Sequence, residues 1–392
     1  MTTSDTSRGS TSPDDAGAGH DQQHGSAGHL SGDVQARADG TAGPNTVTRD
    51  GPTGQRGAEQ ALPGQAGGRK RKRRGGDPHA VVPDAEFTSY YGRPILKASP
   101  WEKDIPAYLF MGGVAAGSSL LAAGADLTGR PALRRTGRLG SLVALSLSMG
   151  ALVHDLGRPE RFYNMLRVAK PTSPMSVGTW ILTAYGPFAG LAAVAELRGL
   201  LPRRLAWAGP VLGLAARPAG VTAALVAPAV ASYTAVLLSD TATPTWHDSH
   251  RHLPFVFVGS ASAASGGLGM LGSPVAEAGP ARRLAIVGAL LELAVETHME
   301  RAMGVTAEPL HDGHAGALVR ASKALTAAGT LGTLLLGRSR LGAAVSGAAL
   351  LAGSACLRFG VFEAGQASAR DPRYVVVPQR ERLAKQGPTR AS

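Results

Sequence analysis

Residues 105–125 read IPAYLFMGGVAAGSSLLAAGA and contain no charged side chain. Asp104 and Asp126 flank this stretch, which is 21 residues long. At 1.5 Å per residue, a helix of that length crosses a hydrocarbon core of about 30 Å. The stretch therefore predicts a transmembrane helix.

Further apolar segments follow along the chain, at about residues 139–153, 178–195, 218–239, 253–276, 281–299, 316–337 and 341–362. Core helices of a soluble protein would carry polar faces that repeat every 3.6 residues, and these segments lack them. Gly, Ala and Ser fill the segments, which lets helix backbones approach closely in lipid. The sequence predicts an all-α membrane protein, a bundle of about eight transmembrane helices that makes several passes through the cell membrane.

The chain divides into three regions by composition. Residues 1–86 contain no Phe, Trp or Tyr and carry the basic run Arg69–Arg74. Such a segment cannot bury enough apolar surface to offset its conformational entropy. We expect a disordered basic tail over residues 1–86, a transmembrane bundle over 87–365 and a C-terminal tail over 366–392.

Charge and cysteine content exclude several functions. Much of the net charge of +12 lies in the tails and short loops, which is typical of a protein that meets membrane lipid rather than nucleic acid. Cys356 is the only cysteine, so no cysteine-ligated iron–sulfur cluster or metal site is expected in this chain. Only His154 and His298 lie in or at predicted spans, so we expect no haem held by two histidines.

The segment after the second span reads HDLGRPERFYNMLRVAKPTSPMSVGTW over residues 154–180. Asp155 and Arg158 are three residues apart at a helix end and could pair, while His154 titrates near neutral pH and suits proton transfer. The alternative is a salt bridge that only fixes the loop.

Two carboxylates interrupt the sixth span. Glu292 and Glu296 are four residues apart and therefore share one helix face. Carboxylates inside a span are costly and usually face the bundle or a water-filled path. They predict a proton relay or, alternatively, ion pairs with a neighbouring helix.

The end of the fourth span is rich in polar groups. Tyr233 could donate its hydroxyl to a carbonyl oxygen while its ring packs on an apolar ligand, and Ser239 closes the same segment. Trp246 lies just beyond, where we expect an aromatic anchor at the membrane interface.

Three of these segments resemble the polysulfide reductase membrane-subunit family of the NrfD/PsrC type. They are residues 108–117 (YLFMGGVAAG), residues 154–180, and the YTAVLLS segment at 233–239 with Pro244 and Trp246. They occur in the family's order, and the resemblance extends over about residues 87–365.

The resemblance implies an eight-helix membrane subunit that binds a quinone or quinol, either menaquinone or ubiquinone. Electrons would pass to or from a ferredoxin-like iron–sulfur subunit docked to a molybdopterin-type catalytic subunit, so the substrate chemistry would lie in other chains. The implied cofactor-binding residues are Tyr233, Arg158 and Ser239, with Asp155 and Arg158 at the partner-facing end. His154, Asp155, Glu292 and Glu296 are the candidate proton-handling residues.

Two other functions stay open at the level of sequence. The chain could be a structural anchor that tethers a soluble redox enzyme without binding quinone. It could also be a proton or solute transporter that uses Glu292 and Glu296, although transporters often show an internal repeat and none is evident between the two halves.

Overall fold

The computed structural model describes residues 94–200, 202, 204 and 207–386. The expected tail over residues 1–86 lies outside them. The described residues form ten α-helices, three named 3-10 segments and no β-strand: α1 (Asp104–Leu127), α2 (Pro131–Asp155), α3 (Pro174–Glu196), α4 (Ala208–Ser239), α5 (Pro244–Asp248), α6 (Leu253–Gly272), α7 (Gly279–Met303), α8 (Gly313–Leu336), α9 (Arg340–Arg370) and α10 (Arg373–Gln386), with 3-10 segments at Pro159–Arg167, Arg198–Leu200 and Gly304–Leu310. The predicted all-α class is confirmed.

Eight of these helices coincide with the predicted spans, namely α1, α2, α3, α4, α6, α7, α8 and α9. Six of them, all but α7 and α8, are long and apolar enough to cross a membrane. α7 has 25 residues and α8 has 24, so both have the length, but α7 includes Glu292 and Glu296 and α8 includes Lys323. The chain is a membrane protein built as a helix bundle of the predicted size.

Glycines set the closest helix contacts. A Cβ added at Gly266 of α6 would lie 2.6 Å from the backbone nitrogen of Ala285 on α7. A Cβ at Gly267 would lie 2.6 Å from the backbone oxygen of Gly347 on α9. No side chain fits at such separations, so these glycines allow the backbones to touch, as the small-residue pattern predicted.

Successive long helices run in opposite directions, which gives the bundle two ends. The end where α1 begins, which we call the entry end, contains residues 94–103, 156–173, 240–252 and 304–312. The other end, which we call the exit end, contains the short connections after α1, α3, α6 and α8. Side-chain bonds tie neighbouring connections together at each end, as between Asp104 and His154 at the entry end.

The expectation of an interfacial anchor at Trp246 is wrong. Trp246 on α5 is fully buried, and its indole N–H donates to the carbonyl oxygen of Val361 at 2.8 Å. The rings of Trp101 and Phe362 pack against it, with centroids 6.0 Å and 5.4 Å away. The short helix α5 folds back into the bundle, which hydropathy alone does not reveal.

The C-terminal part of the described chain is helical. α9 continues through residue 365 to Arg370, and α10 follows over Arg373–Gln386. An ion pair between Arg373 and Glu308 attaches α10 to the entry end. The region expected as a tail from residue 366 therefore begins inside a membrane helix.

Candidate functional site

A pocket of about 460 Å³ lies at the entry end, between the start of α3 and the end of α4. We call it the entry-end pocket. Its lining combines apolar walls with hydroxyl, carboxylate and imidazole groups: Pro171, Thr172, Pro174, Val177, Tyr233, Val236, Ser239, Asp240, His247 and His250. Pockets with mostly apolar walls and a few polar groups are typical of small-molecule sites.

Tyr233 is placed by close packing of α3 against α4. A Cβ added at Gly178 of α3 would collide with the Tyr233 ring, so the ring occupies space that only glycine leaves free. The phenolic oxygen is buried; the backbone of Gly178 approaches it without forming a hydrogen bond of ordinary geometry. Tyr108 on α1, itself buried, also interacts electrostatically with Tyr233. The Tyr233 hydroxyl is thus an unsatisfied buried donor on a residue that lines the pocket.

Ser239 lines the same pocket, six residues beyond Tyr233 on α4. Its hydroxyl donates to the carbonyl oxygen of Ala235 at 2.9 Å, so its proton is already in use. Its oxygen still has lone pairs that could accept a hydrogen bond. Ser239 can thus act towards a ligand as an acceptor.

His247 and His250 are pocket residues that the sequence analysis did not select. Both are exposed, and their ring centroids are 5.7 Å apart. The Nδ1 atom of His250 lies 2.8 Å from the carbonyl oxygen of His247. The His-x-x-His spacing eight residues after the end of the YTAVLLS segment was the signal that could have identified them.

The structure separates His154 and Asp155 from this pocket. His154 is exposed, and its Nδ1 lies 2.8 Å from a carboxylate oxygen of Asp104 at the start of α1. Asp155 accepts a long hydrogen bond of 3.5 Å from the backbone N–H of Glu102. Both residues therefore hold the segment before α1 against the end of α2, while Tyr233 and Ser239 lie elsewhere at the entry end.

Arg158 does not pair with Asp155. It is exposed, and within the described residues its side chain makes no ion pair. Gly157 between them has φ 65°, a left-handed conformation that turns the chain at the end of α2. This turn redirects Arg158 into the start of the 3-10 segment Pro159–Arg167.

Glu292 and Glu296 share a buried face of α7, as the spacing predicted. Their residues are 0% and 1% exposed, respectively. Glu292 accepts a hydrogen bond of 3.1 Å from Thr326 on α8, and Glu296 lies 3.9 Å from the ammonium group of Lys323. The second carboxylate oxygen of each is buried without a partner, so neither group is fully satisfied.

Lys323 and Arg358 complete this polar interior and were not selected from the sequence. Lys323 on α8 donates to Glu300 at 2.7 Å and so links the entry end to Glu296. Arg358 on α9 is 0% exposed, donates to the carbonyl oxygen of Phe257 at 2.8 Å and lies 3.8 Å above its ring. An arginine in an apolar span was a usable signal.

Comparison with known protein families identifies the first part of the bundle. Residues 96–277 match the family described as Polysulphide reductase, NrfD. These 182 residues of the 392 form a domain similar to NrfD, which we call the NrfD domain. No curated protein matches the chain. The resemblance seen in the sequence motifs is confirmed, and it points to a membrane subunit of a quinone-linked oxidoreductase.

The NrfD domain covers α1 to α6 and contains the whole entry-end pocket. It also contains His154, Asp155 and Arg158. Glu292 and Glu296 lie on α7, beyond the matched residues. Among the residues that the structure describes, no three His, Cys, Asp or Glu side chains cluster as a metal site would require.

Proposed function

We propose that this chain exchanges electrons between the quinone pool and an iron–sulfur partner subunit, as the quinone-reactive membrane subunit of a larger oxidoreductase. The observation that carries the proposal is the entry-end pocket of the NrfD domain, with the unpartnered hydroxyl of Tyr233 in its wall. We place the chain in the cell membrane, with the substrate chemistry in other subunits.

The pocket suits a quinone head group in size and chemistry. Its volume of about 460 Å³ lies within the usual range for small-ligand sites. Val177 and Val236 provide apolar walls, and Tyr233 provides a hydrogen-bond donor. A bound quinone or quinol, whether menaquinone or ubiquinone, would supply the two-electron, two-proton redox chemistry that the protein side chains lack.

The polar residues of the pocket have distinct roles in this proposal. Tyr233 donates a hydrogen bond to an oxygen of the ligand, a carbonyl in the quinone or a hydroxyl in the quinol, and orients it. Ser239 accepts a hydrogen bond from a ligand hydroxyl, because its own proton is held by Ala235. His247 and His250 are exposed and lie in the pocket wall, where they can pass protons between the ligand and solvent.

The proposed iron–sulfur partner docks on the entry end. This chain has a single cysteine and therefore cannot hold such a cluster by itself. Arg158 is exposed there, shortly after His154 and Asp155, which bond to the start of α1 and to the segment before it. We assign Arg158 to contact with the ferredoxin-like subunit, which would in turn contact the molybdopterin-type subunit.

We also propose that Glu292 and Glu296 relay protons between the entry end and the middle of the bundle. The support is the series of side chains that begins at Glu300 and Lys323 and continues inward to Glu296, Glu292 and Arg358. If turnover persists unchanged in the Glu292→Gln, Glu296→Gln double variant, the relay is excluded.

The test of quinone reactivity compares two tyrosine variants in the purified complex. Tyr233→Phe removes only the free hydroxyl, and a hydrogen bond is worth about 0.5–1.5 kcal/mol, so quinol KM should rise about twofold to tenfold. Tyr185→Phe is the control, because its hydroxyl is fully used by Ser119, Ser141 and the backbone of Ala115.

We expect Tyr185→Phe to lower stability and leave quinol KM unchanged. Equal KM values in the parent and Tyr233→Phe would remove Tyr233 from the site. Absence of any quinol-dependent reduction in the parent complex would favour the structural anchor instead.

A further inference from the structure

A second pocket, of about 330 Å³, lies at the exit end between α1, α2, α3 and α4. We call it the exit-end pocket. It is lined by four arginines and two carboxylates: Arg134, Arg138, Arg198, Arg217, Asp126 and Glu196. The proposed electron-transfer function uses none of them.

The two carboxylates are shared among three arginines. Glu196 contacts Arg134 at 2.7 Å and Arg138 at 2.8 Å. Asp126 contacts Arg134 at 3.2 Å, Arg138 at 3.4 Å and Arg217 at 3.8 Å. Two negative charges therefore face at least three positive ones.

Arg198 adds a fourth positive charge that the pocket does not neutralise. Within the described part of the chain it makes no ion pair. Four guanidinium groups against two carboxylates leave a net excess of two positive charges. An anion is the ligand class that this excess favours.

Glycines on α4 lie against two of these arginine side chains. Gly213 and Gly220 are seven residues apart and so lie on one face of the helix. A Cβ at Gly213 would lie 2.6 Å from an Nη atom of Arg198, and a Cβ at Gly220 would lie 2.9 Å from an Nη atom of Arg138. The two glycines thus leave room for guanidinium groups at the pocket.

Arg138 carries the strongest indication of a missing ligand. Its side chain is 5% exposed, and its Nε atom is buried without a hydrogen-bond partner. Its Nη atoms pair with Glu196 and Asp126, so one N–H of a buried guanidinium group remains unsatisfied, and guanidinium groups match the oxygens of a phosphate closely. The group lies seven residues into α2, about 10 Å from its first residue, where lipid head groups meet a membrane helix.

We infer that the exit-end pocket binds a phosphate group, supplied by the head group of an anionic phospholipid. Basic pockets between membrane helices near the interface are typical sites for such head groups. The phosphate would contact Arg198 and Arg217, which are exposed, and offset the charge of the buried Arg138. This inference does not depend on quinone binding at the opposite end.

The test uses the full chain in phosphatidylcholine nanodiscs that contain a minor fraction of phosphatidylglycerol, with retained lipid counted by native mass spectrometry. The pocket variant is Arg198→Gln, Arg217→Gln. The control is Arg135→Gln, Arg283→Gln, which removes the same charge from exposed positions at the same end outside the pocket. Because only the pocket variant loses guanidinium hydrogen bonds to the phosphate, phosphatidylglycerol retention should fall at least about tenfold in that variant and change little in the control.

A parallel arm titrates inorganic phosphate into the detergent-solubilised chain. Displacement of phosphatidylglycerol by phosphate supports the same site with a soluble phosphate as its ligand. Equal lipid retention in all three proteins, or equal loss in the pocket variant and the control, overturns the inference. If the double variant does not fold, Arg198→Gln alone gives the same decision, because that side chain makes no ion pair with the described residues.

Discussion

Arg358 and Glu292 should be energetically coupled inside the bundle. Each is the charge that acts most strongly on the other, although the described structure contains no direct ion pair between them. Arg358→Met leaves Glu292 as an uncompensated buried charge. Because the two groups are not in direct contact, the cost in the free energy of unfolding should be smaller than the loss of about 3–5 kcal/mol that breaking a direct buried ion pair typically causes.

The double variant Arg358→Met, Glu292→Gln should cost less than the sum of the two single variants. Because the two groups are not in direct contact, we expect a coupling energy of about 1–2 kcal/mol, within the range known for interacting residues. The single variant also loses the hydrogen bond from Arg358 to the Phe257 carbonyl, which remains lost in the double variant and cancels in the cycle.

The assay is reversible unfolding in mixed micelles, followed by tryptophan fluorescence. Arg301→Met on α7 is the control, since Arg301 is exposed and should change stability by less than about 0.5 kcal/mol. If the effects of the two single variants add within about 0.3 kcal/mol, Arg358 and Glu292 are not coupled and the prediction is wrong.

Two further predictions concern the entry end. Gly365→Ala should destabilise the bundle by about 1–3 kcal/mol and shift tryptophan emission, because the added methyl group would collide with the buried ring of Trp246. Gly124→Ala is the control: a Cβ there meets nothing within 4 Å, so stability and emission should stay unchanged. Burial, and then the charges of His298, Arg251 and His250, lower the pKa of His252. The folded state therefore binds fewer protons at His252 than the unfolded state does. The contribution of His252 to the free energy of unfolding should be fully present above about pH 6.5 and should decline as the pH falls. His252→Gln should make the free energy of unfolding depend less on pH across that range.

The bundle was predictable because each span is decided locally. A charge-free stretch such as residues 105–125 must satisfy its backbone within its own helix in lipid, so hydropathy specifies both its position and its secondary structure. The same reasoning located Glu292 and Glu296 on one buried face, since helical spacing determines that face without knowledge of the neighbouring helices.

Contacts between distant segments could not be read in this way. Arg358 reaches the Phe257 carbonyl across 101 positions of sequence separation, and Trp246 reaches the Val361 carbonyl across 115. His154, Asp155 and Tyr233 all belong to family-like motifs, yet only Tyr233 lines the entry-end pocket. Their separation at the entry end depends on how α1 packs between α2 and α4, which no single segment specifies.

The most direct measurement of quinone binding is photolabelling with an azidoquinone in the membrane-embedded complex, followed by peptide mapping. The proposed function predicts label on residues 171–177 and 233–250, which form the entry-end pocket, and loss of that label with excess quinol. Label confined to other parts of the bundle, or label that excess quinol does not displace, would contradict it.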